Sequence, residues 1–238
     1  MYKTLFVVAF LLTSIPGWAA PAAEVTHLSG ILSARKPDGS SKVLAVRSVV
    51  EEGDLLTTEA GTYARMKFRD GGDVVLRPNT QLKVENYSFE EAKPESDGAL
   101  LSIVKGGMRM VTGLIAKRNR DKISLRAPSA TIGIRGTHFG ALVCLEKQEN
   151  CADVPTVSGK APADGLHVDV ASGAITLTNS AGTAEFTAGQ FGYMADGNAL
   201  PERVPPERGI RVTMPGSIAA NKWGDGIGGA GALECAVQ

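Results

Sequence analysis

Residues 63–76 read Tyr63-Ala64-Arg65-Met66-Lys67-Phe68-Arg69-Asp70-Gly71-Gly72-Asp73-Val74-Val75-Leu76. Ala64, Met66 and Phe68 alternate with Arg65, Lys67 and Arg69, the period of a strand with an apolar inner and a basic outer face. Asp70-Gly71 supplies a tight turn, because glycine tolerates positive φ without steric cost, and Val74 to Leu76 resume the strand. Pro78-Asn79 opens another turn before Leu82, Val84 and Tyr87, so the hairpin runs on into a third strand.

The same pattern extends outward. Val43, Ala45 and Arg47 alternate with Leu44 and Val46. Leu100 to Val104 reads as a strand that stops at Gly106-Gly107, with Met108 to Val111 as the next. Lys117-Arg118-Asn119-Arg120-Asp121-Lys122 holds four cations and one acid and reads as a solvated loop, since no aromatics are interleaved to stack bases. Leu166, Val168 and Val170 alternate, which puts His167 on an outward face, and Ala174 to Thr178 and Phe191 to Met194 complete the series. No apolar period of helical length is sustained, and the 28 glycines punctuate short strands. The expected fold is therefore all-β: a β-sandwich, β-roll or short β-solenoid of short antiparallel strands and Gly-rich turns.

The chain carries 25 Lys+Arg against 25 Asp+Glu, a balance that offers no basic surplus for nucleic acid or anionic lipid. At the N-terminus, Lys3, an apolar run from Leu5 to Leu12, then Pro16, Gly17 and Ala19 form the pattern of a secretory signal peptide over residues 1–19. The run is too short for a membrane anchor, so no stable membrane insertion is expected after cleavage. Export makes Cys144 and Cys151 a candidate disulfide, because two thiols without a nearby His or further Cys would leave a tetrahedral metal site half empty. Cys235 is left over, as a free thiol or an intermolecular bridge.

Candidate chemistry is thin. His27, His138 and His167 sit in no metal-ligand spacing, no nucleophile elbow or phosphate loop occurs, and the carboxylates are spread over turns. No catalytic residue, metal or cofactor is expected, and the protein reads as non-enzymatic.

The run Ala127-Pro128-Ser129-Ala130-Thr131-Ile132-Gly133-Ile134-Arg135-Gly136-Thr137-His138-Phe139 resembles the signature that closes the FecR domain. Gly53-Asp54-Leu55-Leu56-Thr57-Thr58 resembles that domain's opening, followed by Asp70-Gly71 and Leu76-Arg77-Pro78-Asn79-Thr80. The resemblance covers residues 45–145 and continues weakly through Gly189 to Tyr193. It implies a periplasmic all-β module, known from regulators that relay a signal from an outer-membrane receptor to a sigma factor. In those regulators an anti-sigma segment and a transmembrane helix precede the domain. This sequence begins with an export segment instead, so sigma-factor control is not carried over. Gly53, Asp54, Asp70, Gly71, Pro78, Asn79, Pro128, Arg135, Gly136, Thr137 and Phe139 are the matched positions, expected to be mainly structural. Gly136 is expected where backbones approach closely, and Arg135 to bond a carboxylate or chain carbonyls.

The expected organisation is a signal peptide over 1–19, a FecR-like β domain over 24–145, and an exposed loop with the disulfide over 146–165. Additional strands over 166–199 and a Pro/Gly-rich extended tail over 200–238 follow. The expected function is sensing or scaffolding through an envelope protein partner, in the periplasm or secreted. A ligand- or carbohydrate-binding envelope protein is the alternative.

Overall fold

The computed structural model describes residues 21–145, 151 and 153–219. The signal segment 1–19, most of the loop between the paired cysteines, Cys235 and the tail from 220 onward lie outside the described residues.

The chain is all-β. Its strands are β1 (Pro21–Ser29), β2 (Leu32–Arg35), β3 (Ser41–Leu44), β4 (Val49–Glu51), β5 (Leu55–Thr58), β6 (Tyr63–Phe68), β7 (Asp73–Leu76), β8 (Gln81–Ser88), β9 (Gly98–Val111), β10 (Ile123–Arg126), β11 (Thr131–Cys144), β12 (Gly165–Thr178), β13 (Thr183–Thr187), β14 (Phe191–Met194) and β15 (Glu202–Val204). They join in one large mixed sheet that does not close into a barrel, with the main path β15-β14-β12-β11-β10-β9-β7-β6-β1-β4. β2, β3, β5 and β8 branch off that path and rejoin it through the β8–β9 pairing. All pairings are antiparallel except β9 with β10, which departs from the antiparallel expectation.

Three 14-residue strands organise the sheet by changing partners along their length. β9 pairs β8 and β10 in its first half, then β7 and β11 in its second. The Gly106-Gly107 step therefore does not end a strand: β9 continues through it, and Gly107 sits in register with Leu142 of β11. β11 runs beside β12 from Thr131↔Thr178 to Cys144↔Gly165, so residues 166–178 extend the same sheet.

The 63–76 hairpin forms as its period dictates, with Ala64, Met66 and Phe68 buried and β6 pairing β7 from Ala64↔Leu76 to Lys67↔Asp73. Arg65 departs from the outward reading. β6 lies between β1 and β7, and Arg65 is buried with its Nε 3.1 Å from Asp73 Oδ1. A guanidinium can be covered there because a carboxylate meets its charge. The segment 114–122 is also more ordered than a solvated loop: helix α1 (Leu114–Arg118) buries Ile115 and Ala116, and a 3-10 turn follows. Its four cations stay exposed, and Arg118 bonds Asp97.

One hydrophobic core joins residues from Ala22 to Met194. A smaller apolar cluster of Leu142, Cys144, Cys151, Val154, Ile210 and Val212 lies apart from it. That second cluster bears on two of the expected segments. The loop after Cys151 is exposed over most of its described residues, with Val154 buried. The segment 200–219 is docked rather than loose: it contains β15, buries Ile210, Val212 and Ile218, and ends in helix α2 (Gly216–Ala219). Removal of these apolar side chains from water helps hold a proline-rich segment in place.

Candidate functional site

The matched family positions do not converge on one site. Gly53 and Asp54 form a turn at which the Asp54 carboxylate is fully buried and accepts the Glu51 N–H at 2.9 Å. Lys36 Nζ reaches both Asp54 and Glu51, at 2.9 and 2.7 Å. Burial alone would lower the Lys36 pKa, but hydrogen bonds to Glu51 and Asp54 and their charges hold it above the ordinary lysine value.

Asp70 and Gly71 stand at another corner. Asp70 Oδ1 accepts the Gly72 N–H at 3.0 Å and the Tyr87 hydroxyl at 3.3 Å, while Oδ2 accepts the Ile115 N–H at 3.3 Å. The Tyr87 hydroxyl in turn accepts the Asp70 N–H at 2.9 Å, and burial with the Asp70 charge beside it pushes the phenol pKa up. Pro78-Asn79 turns with Asn79 at φ +56°, a left-handed conformation that Asn tolerates. Pro128 is exposed in the β10–β11 connection.

Arg135, Gly136 and Thr137 make a bulge in β11, where three steps on β11 face two on β12. Gly136 has φ +62°, and a Cβ there would meet nothing within 4 Å, so it is required by its backbone angle and not by close approach. Thr137 locks the bulge: its hydroxyl donates to Ala174 O at 2.6 Å, and its N–H donates to Thr112 Oγ1 at 2.9 Å. Arg135 bonds the Glu185 carboxylate at 2.8 Å, and Phe139 is fully buried in the core.

Beyond this bulge opens a cleft of about 590 Å³. β9 contributes Arg109, β11 His138, β12 Asp169 and β14 Phe191, and the extended segment Arg211 to Met214 forms one wall. In register, Gly140 of β11 lies between Arg109 and Asp169 on the neighbouring strands. A Cβ at Gly140 would stand 2.3 Å from Asp169 Oδ1 and 2.6 Å from Val212 Cβ. The missing side chain lets Arg109 and Asp169 pair across the middle strand.

That pair grips the main chain of the 211–214 segment. Arg109 Nε donates to Val212 O at 2.9 Å, and the Val212 N–H donates to Asp169 Oδ1 at 3.1 Å. Arg77, also buried, donates through Nη1 to Thr213 O at 2.7 Å and through Nη2 to Asp153 at 2.8 Å, so it ties the same segment to the loop after Cys151. Beneath them Cys144 and Cys151 are bonded as a disulfide, with Cα atoms 5.7 Å apart.

His138 faces this cleft from the bulge, its Nε2 3.5 Å from Arg109 Nη1. Burial, with the Arg109 charge beside it, pushes the imidazole down to about 4, so it is neutral near pH 7. His167 is buried instead of outward-facing: it donates from Nε2 to Ala163 O at 2.7 Å and stacks on Tyr193, covered by the 153–163 loop. A smaller hollow of about 170 Å³ adjoins it. Among the described residues no group of three or more His, Cys, Asp or Glu is placed to hold a metal ion.

Arg109, Asp169 and Arg211 were not singled out by the sequence, and Arg77 stood only inside the Leu76–Thr80 run. Arg109 and Asp169 are 60 residues apart, and no spacing rule connects them. The available signal was the alternation Ile210, Val212, Met214 within a proline-flanked stretch, which marks an extended segment with one apolar face.

The turns at the matched positions build structure, and among the described residues the cleft holds no cluster of metal-ligating side chains. The model of the family described as FecR protein matches residues 54–176, just over half of the chain, and the chain belongs to this family. Two crystal structures of a candidate anti-sigma factor from Parabacteroides distasonis, at 1.65 and 2.50 Å resolution, are similar to it. They are 13% and 15% identical, with TM-scores of 0.45, and the match covers 65% of this chain and 60% of that one. This chain thus spans less than two thirds of the length of the structure it matches. Among curated proteins none matches.

Proposed function

We propose that the protein is an exported, periplasmic FecR module that senses or scaffolds by pairing an open sheet edge with an extended strand of an envelope protein. Residues 1–19 serve as the export signal, and the domain order is the one expected above, amended by the docking of residues 200–219. FecR family membership supports an interaction module. The observation that carries the reading is β3: it pairs with β2 alone, and its other edge meets no strand among the described residues. Val43 on that strand is 70% exposed, more than any other large apolar side chain described. Ile31, Val46 and Val49, from the same stretch of chain, are exposed as well. An unpaired edge with β-branched residues is a template for strand addition, the main chain supplying affinity and the side chains selectivity.

A photo-cross-linking amino acid at position 43, tested in envelope preparations at native expression, should give an adduct of one discrete mass. The same probe at Val157, 52% exposed but in a loop, should not. Absence of an adduct from position 43, or the same adduct from both positions, overturns the edge-pairing reading.

A further inference from the structure

We infer that the cleft between β9, β11, β12 and the 211–214 segment binds a monoanionic carboxylate, held by Arg211. This reading is independent of the strand edge proposed above. Arg211 sits one residue before Val212, whose N–H and C=O are both gripped by the Arg109–Asp169 pair. The anchor fixes where the Arg211 side chain emerges, and its guanidinium lies over the Phe191 ring, 5.7 Å from the centroid. A guanidinium stacked on an aromatic face keeps its in-plane N–H donors available, the edge that matches a carboxylate in bidentate geometry.

The charges agree with this assignment. Arg211 has no ion-pair partner among the described residues. The carboxylates lining the hollows on either side of it, Asp169 and Asp153, are each engaged by another arginine, Arg109 and Arg77. With Asp169 neutralised by Arg109, the cleft keeps one uncompensated positive charge, which suits a single carboxylate better than a dianion. Asp169 is 5% exposed and takes hydrogen bonds at both oxygens, so the floor is a fixed structure and not a loose surface pair. A cleft of about 590 Å³ falls within the size range of small-molecule sites. It accepts the carboxyl end of a peptide or an acidic sugar, two sources of one chemistry.

Nuclear magnetic resonance of the purified protein tests the assignment through the Arg211 Nε–H, the Val212 and Gly189 amides and the His138 ring. Four probes are titrated separately: N-acetyl-trialanine, its C-terminal amide, glucuronate and inorganic phosphate. At least one of the two carboxylates should move these signals saturably, and the amide should not; which carboxylate binds identifies the source. Arg211→Gln should weaken that binding by about tenfold or more. Lys117→Gln, the same charge change at an exposed position on α1, should leave it unaltered. The assignment is overturned if no carboxylate perturbs the signals, if the amide binds as well as the acid, if phosphate binds best, or if Arg211→Gln binds undiminished.

Discussion

Asp70→Ala should cost roughly 3–5 kcal/mol of folding stability, because one buried carboxylate closes three separate pieces of chain. The residue is 4% exposed, and its carboxylate accepts from Gly72, Tyr87 and Ile115, at 3.0, 3.3 and 3.3 Å. Hydrogen bonds to a charged group contribute about 1.5–3 kcal/mol each, and a buried donor left without an acceptor costs about 1–3 kcal/mol. The two long contacts belong at the low end of that range, and water admitted into the space vacated by the carboxylate restores part of the loss. Asp70→Asn should fall between wild type and alanine. Its carbonyl oxygen can still accept the Gly72 N–H, while its amide then meets the Ile115 N–H donor to donor. Urea denaturation followed by far-ultraviolet circular dichroism measures all three proteins. A cycle with Tyr87→Phe separates the phenol contact, and the two residues should couple, since the hydroxyl both donates to the carboxylate and accepts the Asp70 N–H. A loss below about 1 kcal/mol in Asp70→Ala, or an asparagine variant less stable than the alanine one, would refute this account.

Two further outcomes concern the cleft and its foundation. The His138 imidazole titrates at about 4 in the folded chain against an ordinary 6.5, so between those values the folded state binds fewer protons than the unfolded one. Its contribution is whole above pH 6.5 and is lost as pH falls toward 4; the gap corresponds to roughly 3 kcal/mol, reduced to roughly 2 kcal/mol by the solvent access of a half-buried ring. His138→Gln should therefore lose about 2 kcal/mol less than wild type on acidification from about pH 7 to about pH 4.5, measured by denaturation at each pH. Identical acid sensitivity in the two proteins contradicts this. For the disulfide, the Cys144→Ser, Cys151→Ser double variant should be less stable by roughly 2–3 kcal/mol. Non-reduced peptide mapping of the native protein should link the two cysteines, and finding both alkylated would remove the bridge from the account.

The 63–76 hairpin was legible because alternation and an Asp-Gly turn act locally, and the residues that set its inner face are adjacent in sequence. Arg65 was not, since its burial depends on β1 lying on one side and on Asp73 meeting its charge from β7. His167 failed for a similar reason. Alternation places it on the opposite face from Leu166 and Val168, but the 153–163 loop covers that face and Ala163 supplies the acceptor. The cleft was the least legible part. It is assembled by strand register, with Gly140 between Arg109 and Asp169, and a glycine that makes room for two distant side chains looks in sequence like any other glycine in a strand. The cysteine pair was readable from spacing and compartment, whereas the apolar cluster around it required knowing that residues 210 and 212 return to cover it.

The grip on residues 212 and 213 touches only peptide groups: Arg109, Asp169 and Arg77 address N–H and C=O atoms that every residue but proline presents. Anchoring is thus indifferent to the side chain displayed at the neighbouring outward position. Position 211 can change its chemistry without loosening its mount, as an interchangeable bit sits in a fixed chuck.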